Sequence, residues 1–282
     1  MRVGGVEFLK GHGTENDFVL LPDPDGALDL TAARVRALCD RQRGLGADGV
    51  LRVVRPDVSG AASAGESTSA GSPWFMDYRN ADGSIAEMCG NGVRVFAHYL
   101  VDAGLVPEGE FVVGTRGGEK PVVVHPDGSV TVEMGPVRIT GTSTTKTTGA
   151  DFAGVAVDVG NPHLACVTDV HIATLDLTEQ PHFDPAVFPN GVNLEFVNVL
   201  REGALRMRVH ERGVGETRSC GTGTVAAVAS WLHGEGRTTG EATVDVLGGR
   251  VTVEIGEGRS TLTGPAVLVA RGELDRAWWD SL

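Results

Sequence analysis

Apolar residues downstream of two cysteines recur with helical spacing. After Cys220, Val225, Val228, Ala229 and Leu232 fall at i, i+3, i+4 and i+7, and after Cys89, Val93, Phe96, Ala97 and Leu100 do the same. Each set lines one face of a helix. Gly104 stops the first helix and Gly234 or Gly236 the second, because glycine enters the left-handed conformation of a helix end at little cost. Ahead of each cysteine the period falls to two, so Trp74 to Tyr78 and Leu205 to Val209 read as strands. Further short strands are predicted at Phe111 to Val113, Val122 to Val124 and Val130 to Glu133, then at Ala242 to Val246, Val251 to Ile255 and Ser260 to Thr263.

The two halves of this pattern are copies. Met76 to Gly92 and Met207 to Gly223 align with Cys89 and Cys220 in the same place, 131 residues apart, and the pairs Gly117-Gly118 and Gly248-Gly249 keep the offset. A long-range period of this size is too long for a solenoid and predicts two similar domains. The fold class is therefore α+β: two pseudo-symmetric domains, each a strand-rich sheet wrapped around a central helix. Ser59 to Pro73 is small and polar and reads as a flexible surface insertion. Gly141 to Gly149 reads as the connection between domains, or as a polar strand edge.

Composition narrows the function. The 282 residues carry a net charge of −13, with 41% apolar positions and no block of lysine or arginine. A core is affordable and a phosphate-neutralising surface is not expected, so nucleic acid is excluded as a partner class. No run approaches the ~18 apolar residues of a membrane span. The opening MRVGGVEFLKGHG lacks the apolar stretch of a secretory leader, so the expectation is a cytoplasmic protein. Forty glycines, roughly twice the usual ~7%, are spread without a period and point to tight turns and close backbone approaches. Only Lys10, Lys120 and Lys146 are lysines, which leaves little for Schiff-base chemistry.

Four cysteines in such a protein are expected to be reduced. Cys39, ending the amphipathic run Thr31 to Asp40, and Cys166, in an apolar stretch, read as small buried hydrophobes. Cys89 and Cys220 differ: each precedes Gly-x-Gly and a helix, so each sulfur is placed at a helix N-terminus. The dipole and open N–H groups there lower a thiol's pKa, and the same amides can grip a carboxylate. Two such ends facing each other across an interdomain cleft would hold a carbon between a thiolate and a thiol. That arrangement removes a proton from one side and returns it on the other, which inverts a centre next to a carboxylate. Neither cysteine has Cys-x-x-Cys spacing, and no paired Cys/His spacing suggests zinc. His163 and His210 can tune the thiols, and Glu211, Glu216 and Arg212 share a loop with Cys220.

These residues resemble the diaminopimelate epimerase family. The likeness is carried by N-A-D-G-S-I-A-E-M-C-G-N-G (Asn80 to Gly92) and E-R-G-V-G-E-T-R-S-C-G-T-G (Glu211 to Gly223). G-T-E-N-D-F (Gly13 to Phe18), G-L-G-A-D-G (Gly44 to Gly49) and G-N-P-H (Gly160 to His163) support it. The resemblance implies a cofactor-independent, two-base isomerase that interconverts LL- and meso-diaminopimelate in lysine and peptidoglycan precursor synthesis. No metal and no pyridoxal cofactor are expected, and a homodimer is implied. Cys89 and Cys220 match the acid/base pair, and His163 and Glu211 the residues that tune it. Asn16, Asn80, Asn161, Asn193, Glu211 and Arg212 match substrate-holding positions, and Gly90-Asn91 and Gly221-Thr222 the helix starts that grip the reacting carboxylate. Gly49 stands where relatives carry Gln, which removes a side-chain contact.

The resemblance also implies that the last strand returns to the first domain. Residues 1–134 with about 266–282 are then expected to form the amino-terminal domain, and 135–265 the carboxyl-terminal one. Two rival readings are a cofactor-free racemase of the proline racemase type and a thiol redox or binding protein on the same fold. Glu211-Arg212 argues against the first, because proline has no second charged end for them to hold. The presence of both cysteines argues against the second.

Overall fold

The computed structural model describes residues 5–57 and 71–282. They fall into two compact units: one runs to Val132 and includes Pro265–Leu282, the other is Glu133–Gly264. The first unit is built from β1 (Val6–Gly13), β2 (Asn16–Pro22), α1 (Ala32–Cys39), β3 (Gly49–Val54), β4 (Phe75–Asn80), α2 (Gly90–Asp102), β5 (Gly109–Thr115), β6 (Gly118–Val124) and β7 (Ser129–Glu133). The second comprises β8 (Arg138–Thr147), β9 (Ala150–Asp158), β10 (Pro162–Val167), β11 (His182–Phe183), β12 (Asn193–Arg201), β13 (Ala204–Glu211), β14 (Gly215–Thr217), α3 (Gly221–Gly234), β15 (Gly240–Val246), β16 (Gly249–Gly256) and β17 (Arg259–Pro265). The chain then adds β18 (Val267–Leu274) and α4 (Arg276–Asp280) to the first unit.

Both units follow one strand plan. In the first, β18 pairs antiparallel with β1, and β1 with β2; β2 runs parallel to β3, and β3 antiparallel to β4; then come parallel β4–β5 and antiparallel β5–β6–β7. In the second, β8, β9, β10, β12, β13, β15, β16 and β17 repeat that sequence of parallel and antiparallel pairings. Each sheet surrounds one helix. Val93, Phe96, Ala97 and Leu100 of α2 and Val225, Val228 and Leu232 of α3 are fully or almost fully buried, as their spacing requires.

Both helices end the same way. Gly104 and Gly236 have φ of +66° and +69°. Leu105 N–H reaches back to Leu100 O and Arg237 N–H to Leu232 O, and the two glycines bond the carbonyls of Val101 and His233. This closure satisfies the orphan carbonyls of the last turn and requires a residue tolerant of positive φ.

The polar run Gly141 to Gly149 is not a connection. Most of it belongs to β8, paired with β9 along its length, and it is held by β-branched threonines. Thr145 is buried with its hydroxyl on His182 O at 2.7 Å. The Ser59 to Pro73 insertion lies mostly outside the described residues. Its last positions are stitched into the fold: Gly71 N–H donates to Glu119, and the buried Ser72 hydroxyl stands between Trp74 O and Val112 O and accepts from Gly114 N–H. Among the described residues, no helix is long and apolar enough to cross a membrane.

Candidate active site

Cys89 is the N-cap of α2, with extended backbone (φ −141°, ψ 117°), and its carbonyl accepts the Val93 N–H. The short loop that follows β4 delivers it to the helix start. Its Sγ lies 3.6 Å from Asn16 Oδ1, at the beginning of β2. Asn91, one residue into the helix, donates Nδ2 to the same oxygen at 3.2 Å. Asn16 Nδ2 in turn donates to Asp48 Oδ2 at 2.8 Å. The β1–β2 turn holds Thr14 and Glu15 at φ of +50° and +61°, a conformation costly for non-glycine residues, and it brings the buried Thr14 hydroxyl to the guanidinium of Arg94. Asn80, at the end of β4, uses its amide on Ser84 Oγ at 3.0 Å.

The other half is built on the equivalent frame with different charges. Cys220 is the N-cap of α3 and accepts Gly223 N–H on its sulfur at 3.4 Å, with Thr222 Oγ1 at 3.6 Å. The parallel pairing of β10 and β12 sets His163 beside Asn193. His163 is fully buried, with Nδ1 2.7 Å from Glu195 Oε1 and Nε2 2.9 Å from Asn161 Oδ1. The Asn161 oxygen can only accept, so Nε2 is its donor and Nδ1 is left to face the Glu195 carboxylate. Glu211, at the end of β13, accepts from the Thr217 hydroxyl.

Burial dominates the electrostatics of this half. It pushes the Cys220 thiol well above its ordinary value, and the Glu211 and Glu195 carboxylates push it further; the Thr222 hydroxyl and Gly223 N–H work against them. Burial also raises Glu211 and Glu195. Cys39 and Cys166 are buried and are pushed up to about 12 by desolvation, so both are thiols at neutral pH.

The structure therefore gathers Cys89, Asn16 and Asn91 in one unit, and Cys220, Thr222, Glu211, His163 and Asn161 in the other. Asn193 is spent on the backbone: its amide donates to Pro162 O and its oxygen accepts Arg212 N–H. The exposed Arg212 guanidinium donates to Asn190 O at 3.1 Å. Glu216 does not join the thiol; its carboxylate takes a two-pronged ion pair from Arg208. Burial holds the His210 imidazole below its usual range. Among the described residues, no three His, Cys, Asp or Glu side chains gather as metal ligands.

Sequence reasoning missed Asp48, Arg94 and Glu195. Each carries a readable sign: Asp48 lies inside G-L-G-A-D-G, and Glu195 is a charge between the apolar Leu194 and Phe196-Val197. The duplicated frame sets Arg94 against Val225, so a cation stands in an apolar slot. Gly49 also has a packing reason. A Cβ there would lie 2.6 Å from Arg79 O and 2.7 Å from the Tyr78 ring.

Comparison with known proteins bears on what these half-sites are. A family profile described as diaminopimelate epimerase matches residues 8–140 and 155–269. The chain is 59% identical to a Rhodococcus opacus protein named diaminopimelate epimerase, covering 98% of this chain and all of that one. It is 57% identical to a Mycolicibacterium smegmatis protein of the same name, covering 98% and 99%. Among solved structures, a Bacillus anthracis phenazine biosynthesis protein of the PhzF family matches with TM-score 0.65 at 16% identity, over 95% of this chain and 98% of that one. A hydroxyproline epimerase from Agrobacterium vitis matches at 0.64 and 16%, over 99% and 95%. At these identities the structural matches speak to the fold.

Proposed function

The chain belongs to the diaminopimelate epimerase family, and from that membership we propose that it interconverts LL- and meso-2,6-diaminopimelate by a two-base reaction of Cys89 and Cys220. One observation carries the reading: two cysteines, equivalent in a duplicated frame, both cap the helix at the centre of their unit. In the proposed reaction both sulfurs act on the α-carbon of one substrate molecule. The thiolate on one side takes the α-proton while the thiol on the other supplies one to the opposite face, and the centre inverts.

The negative charge that develops at the α-carbon spreads into the adjoining carboxylate. The first-turn N–H groups at Gly90-Asn91 and Gly221-Thr222 are suited to hold it, because helix-start amides are fixed donors aimed at an anion and need no reorganisation. General acid–base transfer supplies ~10²–10⁴-fold, and positioning in a water-poor site supplies the remainder. Neither thiol can be fixed in one protonation state, since each must serve as base in one direction and acid in the other.

His163 and Glu211 tune Cys220 in this reading. Asn16, Asn80, Asn161, Asn193, Glu211 and Arg212 hold the substrate, the last two at its distant charged end. Several of these amides are already satisfied within the protein, so their contribution includes shaping the loops. A cytoplasmic homodimer without cofactor is part of the same reading.

The test is α-proton exchange. Purified protein, incubated with diaminopimelate in heavy water without added cofactor, should incorporate deuterium at an α-carbon as the stereoisomers interconvert. Proline, run beside it, should remain unlabelled; labelling of proline alone would reverse the assignment of substrate.

A further inference from the structure

Arg94 is a cation in a position that the other unit fills with a hydrocarbon. It is the fifth residue after Cys89, as Val225 is the fifth after Cys220, and both side chains are fully buried. Burying a guanidinium forfeits its hydration, so it normally comes with a carboxylate. Among the described residues Arg94 has none. Nη2 donates to Asn91 Oδ1 at 2.7 Å and Thr14 Oγ1 at 3.0 Å, while Nε and Nη1 have no hydrogen-bond partner. Desolvation brings the group down to about 10, which leaves it charged at neutral pH.

A polar chain leads from this charge to the thiol. Arg94 donates to the Asn91 oxygen, Asn91 Nδ2 donates to the Asn16 oxygen at 3.2 Å, and Asn16 Nδ2 donates to Asp48 at 2.8 Å. A cation fixes one end and a carboxylate the other. Turning either amide over would aim a carbonyl at Asp48 or an NH₂ at Arg94, so the orientation of both is determined. The result is that Asn16 Oδ1 faces Cys89 Sγ at 3.6 Å. That oxygen accepts an S–H and holds the thiol in place, while the uncompensated charge behind it favours the thiolate.

The second unit uses the same two devices with signs exchanged. There a backbone N–H donates to the sulfur of Cys220, which favours the thiolate, and buried carboxylates favour the thiol. Each half thus opposes a dipole to a charge, so that its thiol is usable in both forms.

We propose that Arg94 is a positioning residue for Cys89: it fixes the acceptor that orients the S–H, through Asn91 and Asn16, and supplies the buried countercharge when the proton leaves. The proposal rests on the reading of Cys89 as an acid/base group for its link to turnover, but its test does not require that reading. The charged groups on this side are Arg94 and Asp48, with Arg41 bridging Asp48 to Asp17 and Lys10 on Asp17.

The experiment measures the pH dependence of iodoacetamide alkylation at Cys89 in the full-length protein, read by peptide mass spectrometry with Cys220 in the same digests. Variants are Arg94→Met, Arg94→Lys and Asp48→Asn, each checked for folding by circular dichroism. Arg94→Met should raise the Cys89 midpoint by about one pH unit, a tenfold loss of thiolate below the midpoint, and leave Cys220 unmoved. Arg94→Lys should keep most of the wild-type midpoint. Asp48→Asn should lower it, because it removes a nearby anion and frees Asn16 to donate to the sulfur. If Arg94→Met does not fold, the other two decide. An unmoved Cys89 midpoint, or equal shifts at Cys220, overturns the role of Arg94. If turnover survives Cys89→Ala, the acid/base reading falls instead, whatever the alkylation shows.

Discussion

Gly223 and Glu195 stand in a contact that only glycine permits. A Cβ on residue 223 would lie 2.6 Å from Glu195 Oε1 and 3.3 Å from Cys220 Sγ. The carboxylate cannot retreat freely, because the same oxygen is hydrogen-bonded to the buried imidazole of His163. Gly223→Ala is therefore expected to displace the Glu195–His163 pair or the helix start. The expected outcome is a stability loss of about 1–3 kcal/mol and a loss of turnover larger than that of Gly104→Ala, measured by denaturant titration beside the deuterium assay.

Either thiol alone is insufficient for a two-base inversion. Cys89→Ala and Cys220→Ala should each lower epimerisation by at least ~10²-fold while the protein stays folded. Stereoisomer interconversion followed by chiral chromatography checks this; near-native rates in either variant would remove the mechanism.

If both sulfurs act on one carbon, as proposed, they should also be able to couple. Mild oxidation is expected to inactivate the enzyme with a link between Cys89 and Cys220, reversed by reductant. Peptide mapping should find that pair and leave the buried Cys39 and Cys166 unmodified. Full activity with the link in place would count against the two sulfurs acting on one carbon.

Glu211 makes the site a destabilising element at high pH. Burial raises its carboxyl above 4.5 in the folded protein. The folded state then holds a proton that the unfolded state releases, so this stabilising contribution is complete below about pH 4.5 and is lost as pH rises through the folded value. Glu211→Gln should melt at a higher temperature than wild type near pH 8, and the difference should shrink toward pH 4.5. Its turnover should fall, because the Cys220 thiol loses the carboxylate beside it. Parallel melting curves across that range would contradict the assignment.

Gly49 is a packing glycine. With a Cβ only 2.6 Å from Arg79 O, Gly49→Ala must push β3 from β4 and is expected to cost about 1–3 kcal/mol, seen as a lower melting temperature. Gly49→Gln should not improve activity.

Periodicity and duplication disclosed the two helices, their glycine ends and most of the strands. Those signals are local: a helix face repeats every three or four residues, and a left-handed glycine is needed wherever such a helix stops. The cysteines were legible for the same reason, since Cys-Gly-x-Gly before a helical run fixes the sulfur at the N-terminus. The resemblance supplied the return of the last strand, which no short-range pattern contains.

The groups that set the thiols apart were not legible. Asp48 reaches Cys89 through Asn16, 32 residues away from it in the chain, and Glu195 meets Gly223 through the pairing of β12 with its neighbours. The local sign that each carries in the sequence does not say which sulfur it serves. What a charge does depends on how far it is from water and which dipole lies against it, and both are fixed only when distant strands close around the helix start. The sequence alone thus determined where the sulfurs stand along the chain, and the tertiary structure decided which buried charge each one answers to.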